Sequence, residues 1–151
     1  DIDLVISTPD QHRLEPEVQV LERDTFFARG EFAGLLVDFL ATENPFFARV
    51  KQEYGDARQL DFLAGARTIR CATPQGLILL KLYALPSLYR HGQIARAKIY
   101  EGDIGSLLAA FPETDTEKLL GVLSEHDVSN SDVSELRNIL AEQQPRTRRF
   151  L

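Results

Sequence analysis

Residues 1–7 alternate along the chain. Ile2, Leu4 and Ile6 fall on one side and Asp1, Asp3 and Val5 on the other, the period-two pattern of a half-buried strand. Residues 8–17 are polar with two prolines and predict a loop or a broken helix. Residues 18–29 satisfy two periods at once: Val18 and Val20 alternate, while Leu14, Val18 and Leu21 keep helical spacing. Gly30-Glu31 reads as a turn into 32–40, a strongly strand-like run. Asn44-Pro45 opens a helix, with Asn as N-cap and Pro in the first turn, and Phe46, Phe47, Val50 and Tyr54 continue at helical spacing. Residues 60–63 and 68–72 read as short strands flanking Gly65, a predicted hairpin. Thr73-Pro74 begins a second helix that runs until Pro86 kinks or ends it. Ile104, Leu107, Leu108 and Phe111, at i, i+3, i+4 and i+7, predict an amphipathic helix. Two further helices are marked by Thr114-x-x-Glu117 and Asp132-x-x-Glu135, both of capping-box form.

Strands first and helices later point to an α+β domain, with a mixed sheet, flanking helices and a helical C-terminal half over 104–143. With no repeat, low-complexity tract or long linker, residues 1–151 read as a single domain. Composition changes this picture little: 44% hydrophobic and 26% charged is ordinary for a globular protein. No apolar run approaches the roughly 20 residues that span a bilayer, so no membrane partner is expected. The single Cys71 excludes an internal disulfide and fits a reducing, cytoplasmic setting. His12, His91 and His126 are too dispersed for zinc-ligand spacing. A net charge of −6 argues against broad coating of nucleic acid, and the basic run 146–149 reads as a solvated tail.

Charge becomes informative where the pattern calls for burial. Asp1 and Asp3, at i and i+2 of a strand, point to the same side and can hold a divalent cation such as Mg2+ between them. Solvation is the plainer alternative. Asp38 alone interrupts the apolar run Leu35-Leu-Val-Asp-Phe-Leu40, and a buried carboxylate there must be paired, protonated or bound to metal. A loop N–H or an Arg partner would serve as well as a metal. Lys81 sits at the centre of Leu77-Ile-Leu-Leu-Lys-Leu-Tyr-Ala-Leu85, with Leu77, Leu80, Ala84 and Leu85 at neighbouring positions. Snorkelling would suit a surface helix; an ammonium aimed at phosphate suits this crowded setting better. Carboxylates for metal, with metal and lysine for phosphate charge, are what phosphoryl or nucleotidyl transfer requires.

This set resembles the DNA polymerase β-like nucleotidyltransferase superfamily, closest to the bacterial AbiEii-type toxins and their uncharacterised relatives. The Asp-x-Asp strand matches Asp1-Ile-Asp3 and the third carboxylate matches Asp38. The lysine helix matches Ala72-Thr-Pro-Gln-Gly-Leu-Ile-Leu-Leu-Lys-Leu-Tyr-Ala84, and the last motif runs from Arg96-Ala-Lys98 to Asp103-Ile-Gly-Ser-Leu107. The Gly-Ser turn that precedes Asp-x-Asp in the superfamily is absent, and with no initiator Met the chain reads as starting just after it. The spacing from Lys98 to Asp103 is looser than the usual motif, and a helix N-cap is an equal reading of Asp103.

The resemblance implies a Mg2+-dependent enzyme that moves a nucleoside monophosphate from an NTP to a hydroxyl of an RNA such as tRNA, a protein or a small molecule. Asp1, Asp3 and Asp38 would ligate metal, with Asp38 alternatively the general base. Lys81 would neutralise phosphate charge. Arg90, Asp103 and, less directly, Arg96 or Lys98 would line the nucleotide site, though the cations also suit exposed helix ends. The alternative is a non-catalytic member of the fold, a nucleotide sensor or toxin–antitoxin partner, with a cognate antitoxin or a second copy as its binding partner.

Overall fold

The computed structural model describes residues 2–60 and 67–143. Asp1, Gly65 at the centre of the predicted hairpin, and the basic run 146–149 lie outside these residues. The fold is α+β, as the pattern predicts, and the chain divides into two compact units, Asp1–Gly55 and Asp56–Leu151.

The first unit is built on a four-stranded mixed sheet of order β1-β4-β3-β2, with β1 Ile2–Ile6, β2 Gln19–Arg23, β3 Phe27–Phe32 and β4 Leu35–Ala41. β1 runs parallel to β4, and β4 pairs antiparallel with β3, as β3 does with β2. The strand predicted over 32–40 is β4 from Leu35 onward, Phe32 is the last residue of β3, and the turn is not Gly30-Glu31. It is Ala33-Gly34, whose φ values of 51° and 80° give the two positive-φ residues of a tight hairpin matched to strand twist. Phe32 and Leu35 close that turn as register partners. Gly30 instead lies inside β3, where a Cβ would stand 2.2 Å from Val18 Cγ1. Its role is close approach, not reversal.

Strand alternation places Leu4, Ile6, Val18, Ala28, Val37 and Phe39 in one apolar cluster. Two helices complete the unit. The polar stretch is α1, Thr8–Leu14, capped by Ser7 and followed by a 3-10 turn at Glu15–Glu17, so the broken-helix alternative is the one realised. Helix α2, Pro45–Glu53, lies against β1 and β4. Asn44 caps it, its Oδ1 accepting from Phe46 N at 2.9 Å.

The second unit opens with a two-stranded ribbon, β5 Gly55–Leu60 with β6 Arg67–Ala72, and continues as four helices. Helix α3, Pro74–Arg90, is capped by Thr73 and continues past Pro86. Its buried stripe of Ile78, Leu79, Leu82, Leu85 and Leu88 packs on neighbouring helices. Each such side chain contributes about 1.5–3 kcal/mol, enough to offset the roughly 3 kcal/mol cost of an internal proline.

Helix α4 runs Ile94–Ala110, starting ten residues, nearly three turns, before the apolar spacing from Ile104 predicts. Helices α5, Thr116–Ser124, and α6, Asn130–Gln143, finish the bundle. Both capping boxes shift by a residue or more. Asp115, not Thr114, caps α5, accepting from Lys118 N at 3.0 Å. At α6 the hydroxyl of Ser129 accepts from Asp132 N at 3.1 Å, and Asp132 lies in the first turn. Asp115 thus takes the place predicted for Thr114, and Ser129 that predicted for Asp132, each with its side-chain oxygen on the N–H three residues ahead. Thr114 Oγ1 is left buried, with no hydrogen-bond partner among the described residues.

Candidate functional site

A row of charges crosses the first unit's sheet. Because register partners on adjacent strands point to the same face, Asp3 of β1 stands beside Asp38 of β4, Asp38 beside Arg29 of β3, and Arg29 beside Glu22 of β2. Neighbouring strands lie about 4.8 Å apart, so the carboxylates of Asp3 and Asp38 are within reach of one cation. The row depends on a bulge. The β2–β3 register shifts between Val20 and Glu22, and this skips Leu21 and sets Glu22 opposite Arg29.

Asp38 is 3% exposed, and Arg29 holds it with two parallel bonds, Nε to Oδ1 at 2.6 Å and Nη2 to Oδ2 at 2.5 Å. Arg29 also sits 5.6 Å from the Phe27 ring centroid. The arginine-partner alternative for Asp38 is thus realised. A carboxylate in this fork keeps one lone pair on each oxygen, so pairing with Arg29 and metal ligation are compatible. Sequence reading did not single out Arg29. The strand alternation of Phe27, Arg29 and Glu31 would have found it once the turn was set at Ala33-Gly34 rather than at Gly30-Glu31.

The second unit holds the remaining candidates on α3 and α4. The crowding expected around Lys81 is one-sided: Leu85 is fully buried, but Leu77 is 38% exposed, and the face carrying Leu77, Lys81 and Ala84 lies off the buried stripe. The Lys81 ammonium donates to Asp103 Oδ2 at 2.7 Å and lies 4.5 Å from the centroid of the Tyr100 ring. The N-cap reading of Asp103 is overturned, because α4 begins nine residues before it and Asp103 lies within the helix. Arg96, Tyr100 and Asp103, spaced i, i+4 and i+7, form one stripe of α4. Arg96 donates to the Tyr100 hydroxyl at 3.2 Å and its guanidinium lies 5.5 Å from the ring centroid. Lys81, Arg96, Tyr100 and Asp103 are therefore one cluster.

Arg90 is not part of it. Nine residues beyond Lys81 on the same helix, it lies roughly 13 Å along the axis and about half a turn around. It pairs instead with Asp132 of α6, at 3.0 and 3.1 Å. A hydrogen bond from Ser129, and after it the Arg90 guanidinium, holds the Asp132 carboxyl below its ordinary value. Lys98 also turns elsewhere, donating to Glu101 at 2.7 Å.

Glu101 is a buried carboxylate that sequence reading missed: 6% exposed, it accepts from Lys98 and from the Tyr89 hydroxyl. The bond to Glu101 pushes the Tyr89 phenol above its ordinary value and likewise raises Lys98. The signal was there in the α4 stripe Ala97, Glu101, Ile104 and Leu108, a glutamate at an otherwise apolar 4-3-4 spacing.

Among the described residues, no three acidic, cysteine or histidine side chains gather as metal ligands, and no helix is long and apolar enough to cross a membrane. Asp1 lies outside those residues, so the carboxylates brought together are Asp3 and Asp38. No protein-family model matches the chain, and no curated protein matches it in sequence.

Proposed function

We propose that the chain is a nucleotidyltransferase of the DNA polymerase β-like type, transferring a nucleoside monophosphate from an NTP to a hydroxyl. The observation that carries this reading is the pairing of Asp3 with Asp38 on adjacent parallel strands. Two carboxylates 35 positions apart in sequence, one of them almost wholly buried, share one face of the sheet.

Asp3 and Asp38, with Asp1 ahead of them, would hold Mg2+, and their all-oxygen donor set fits that hard cation. When bound, the metal would neutralise phosphate charge and lower the pKa of the attacking hydroxyl. Asp38 would alternatively serve as the acceptor for that hydroxyl's proton, with Arg29 fixing its plane. Lys81, to which the resemblance assigns the neutralising of phosphate charge, is held within the second unit by Asp103 at 2.7 Å and stands over the Tyr100 ring that Arg96 also approaches. A cytoplasmic setting and an RNA, protein or small-molecule acceptor belong to the same proposal.

The test is label transfer from each of the four α-labelled NTPs with Mg2+, in the presence of tRNA, protein and small-hydroxyl acceptors. Transfer that falls to background in Asp38→Asn and Lys81→Ala supports the reading. Wild-type label transfer that persists in both variants rules it out. One feature favours the non-catalytic alternative, a nucleotide sensor or toxin–antitoxin partner: Arg29 already engages both oxygens of Asp38. In that case Mg2+ with NTP raises the melting temperature by mass action, and no label moves.

A further inference from the structure

The charge row of the first unit ends in a residue that the proposed reaction does not use. Glu22 of β2 is exposed and is the register partner of Arg29, on the side away from Asp38. Simple alternation does not put it there. Continued from Gln19↔Glu31 and Val20↔Gly30, the β2–β3 register would set Leu21 opposite Arg29; the bulge skips Leu21 and sets a carboxylate there instead. Bulges and charges on an edge strand also discourage pairing with other chains. That role asks for a charge somewhere on β2, not for one facing this arginine.

Arg29 thus lies between two carboxylates in different settings. Asp38 is 3% exposed and accepts from Nε and Nη2 at 2.6 and 2.5 Å, so the guanidinium compensates a buried charge. A divalent cation between Asp3 and Asp38 would compensate the same charge more strongly. Lone pairs permit both partners on one carboxylate, yet the two cations then repel across it where water screens little. Glu22 offers the guanidinium an anion one strand further out. Directly opposed residues have Cβ atoms about 4.5–5.5 Å apart, so a change of Arg29 rotamer covers the step with the backbone unmoved.

We infer that Arg29 is a cation-controlled latch on the Asp3–Asp38 pair: without the cation it closes on Asp38, and with Mg2+ bound it passes to Glu22. This inference rests on the metal-ligand role of Asp38 in the proposed function. The exchange is confined to side chains of one sheet. Between binding events the latch keeps Asp38 from standing as a buried charge without its counter-charge, and it makes Mg2+ compete for that carboxylate. Glu22 eases the competition by receiving what Mg2+ displaces.

The experiment titrates the full chain with Mg2+ alone and follows exchange of the Arg29 Nε–H with water by NMR, in wild type, Glu22→Gln and Glu31→Gln. Glu31 is exposed on the same face of β3, so Glu31→Gln removes an equal charge and leaves the partner of Arg29 in place. In wild type and Glu31→Gln the exchange should quicken as Mg2+ saturates, because the guanidinium leaves a buried carboxylate for an exposed one. In Glu22→Gln the exchange should stay slow. Its Kd for Mg2+ should exceed that of Glu31→Gln about two- to fivefold, the effect of one exposed ion pair.

Slow exchange of the Arg29 Nε–H in wild type at saturating Mg2+ overturns the inference, and so does an equal response of the two variants. Wild type that binds no Mg2+ overturns it together with the metal ligands on which it builds. Failure of the transferase reading alone looks different: Mg2+ then releases Arg29 in wild type, but no label moves from any of the four NTPs.

Discussion

Removing Arg29 tests the sheet's charge row without assuming any activity. In Arg29→Met the methylene bulk stays and the guanidinium goes, so Asp38 loses two charge-assisted bonds. Exposed ion pairs contribute at most about 1 kcal/mol, whereas losing one partner of a buried pair costs about 3–5 kcal/mol. The side-chain exposures, 20% for Arg29 and 5% for Asp38, place this pair in the second class. Because water reaches the arginine, the lower figure applies, about 3 kcal/mol. That is a large share of the roughly 5–15 kcal/mol that holds a domain folded. With a urea m-value near 2 kcal/mol/M, the midpoint should fall by about 1.5 M. Melting should fall by roughly 6–12 °C.

Urea titration followed by far-UV circular dichroism measures the loss, and the double variant Arg29→Met with Asp38→Leu identifies its source. If the cost is a stranded buried charge, replacing both partners with apolar groups recovers most of it. A single variant within about 1 kcal/mol of wild type would show that the pair behaves as a surface contact. A double variant no better than the single would place the loss in packing. Either result refutes the reasoning.

Two further outcomes follow from buried polar groups in the second unit. Thr114→Val replaces an unpartnered buried hydroxyl with a methyl of similar size, and should raise stability by about 1 kcal/mol or more, read as a higher melting temperature. Destabilisation would mean that the hydroxyl has a partner. Tyr89 titrates late because its hydroxyl donates to Glu101, so its folded pKa lies above the ordinary value of about 10. A group raised on folding gives stability that is complete below its unfolded pKa and is lost as pH rises through the folded one. Phenolate absorbance should therefore show a late component above about pH 10 that disappears in Tyr89→Phe and moves earlier in Glu101→Gln. A late component unaffected by Glu101→Gln would assign it to another cause.

Local chemistry settled a good part of this protein from sequence. The apolar alternation of 1–7 is β1, Asn44-Pro45 opens α2, and Thr73-Pro74 opens α3, because strand period and N-caps act within a few residues of chain. Where two local readings competed, packing chose between them. Gly30-Glu31 has turn composition, yet the hairpin closes at Ala33-Gly34, since Gly30 is needed where β3 passes Val18. Pro86 predicts a kink or an end, and α3 does not end there, because its far turn buries Leu88.

The chemistry divides in the same way. Asp3, Asp38 and Lys81 stood out in the sequence because a charge set in an apolar run breaks the pattern. Their partners could not stand out. Which residue faces Asp38 is fixed by strand register, down to a bulge that skips Leu21, and which residue meets Lys81 is fixed by how α3 lies along α4. Sequence marks a buried charge by the energy it would cost alone. Only the tertiary structure names the group that compensates it, because that group comes from another strand or helix.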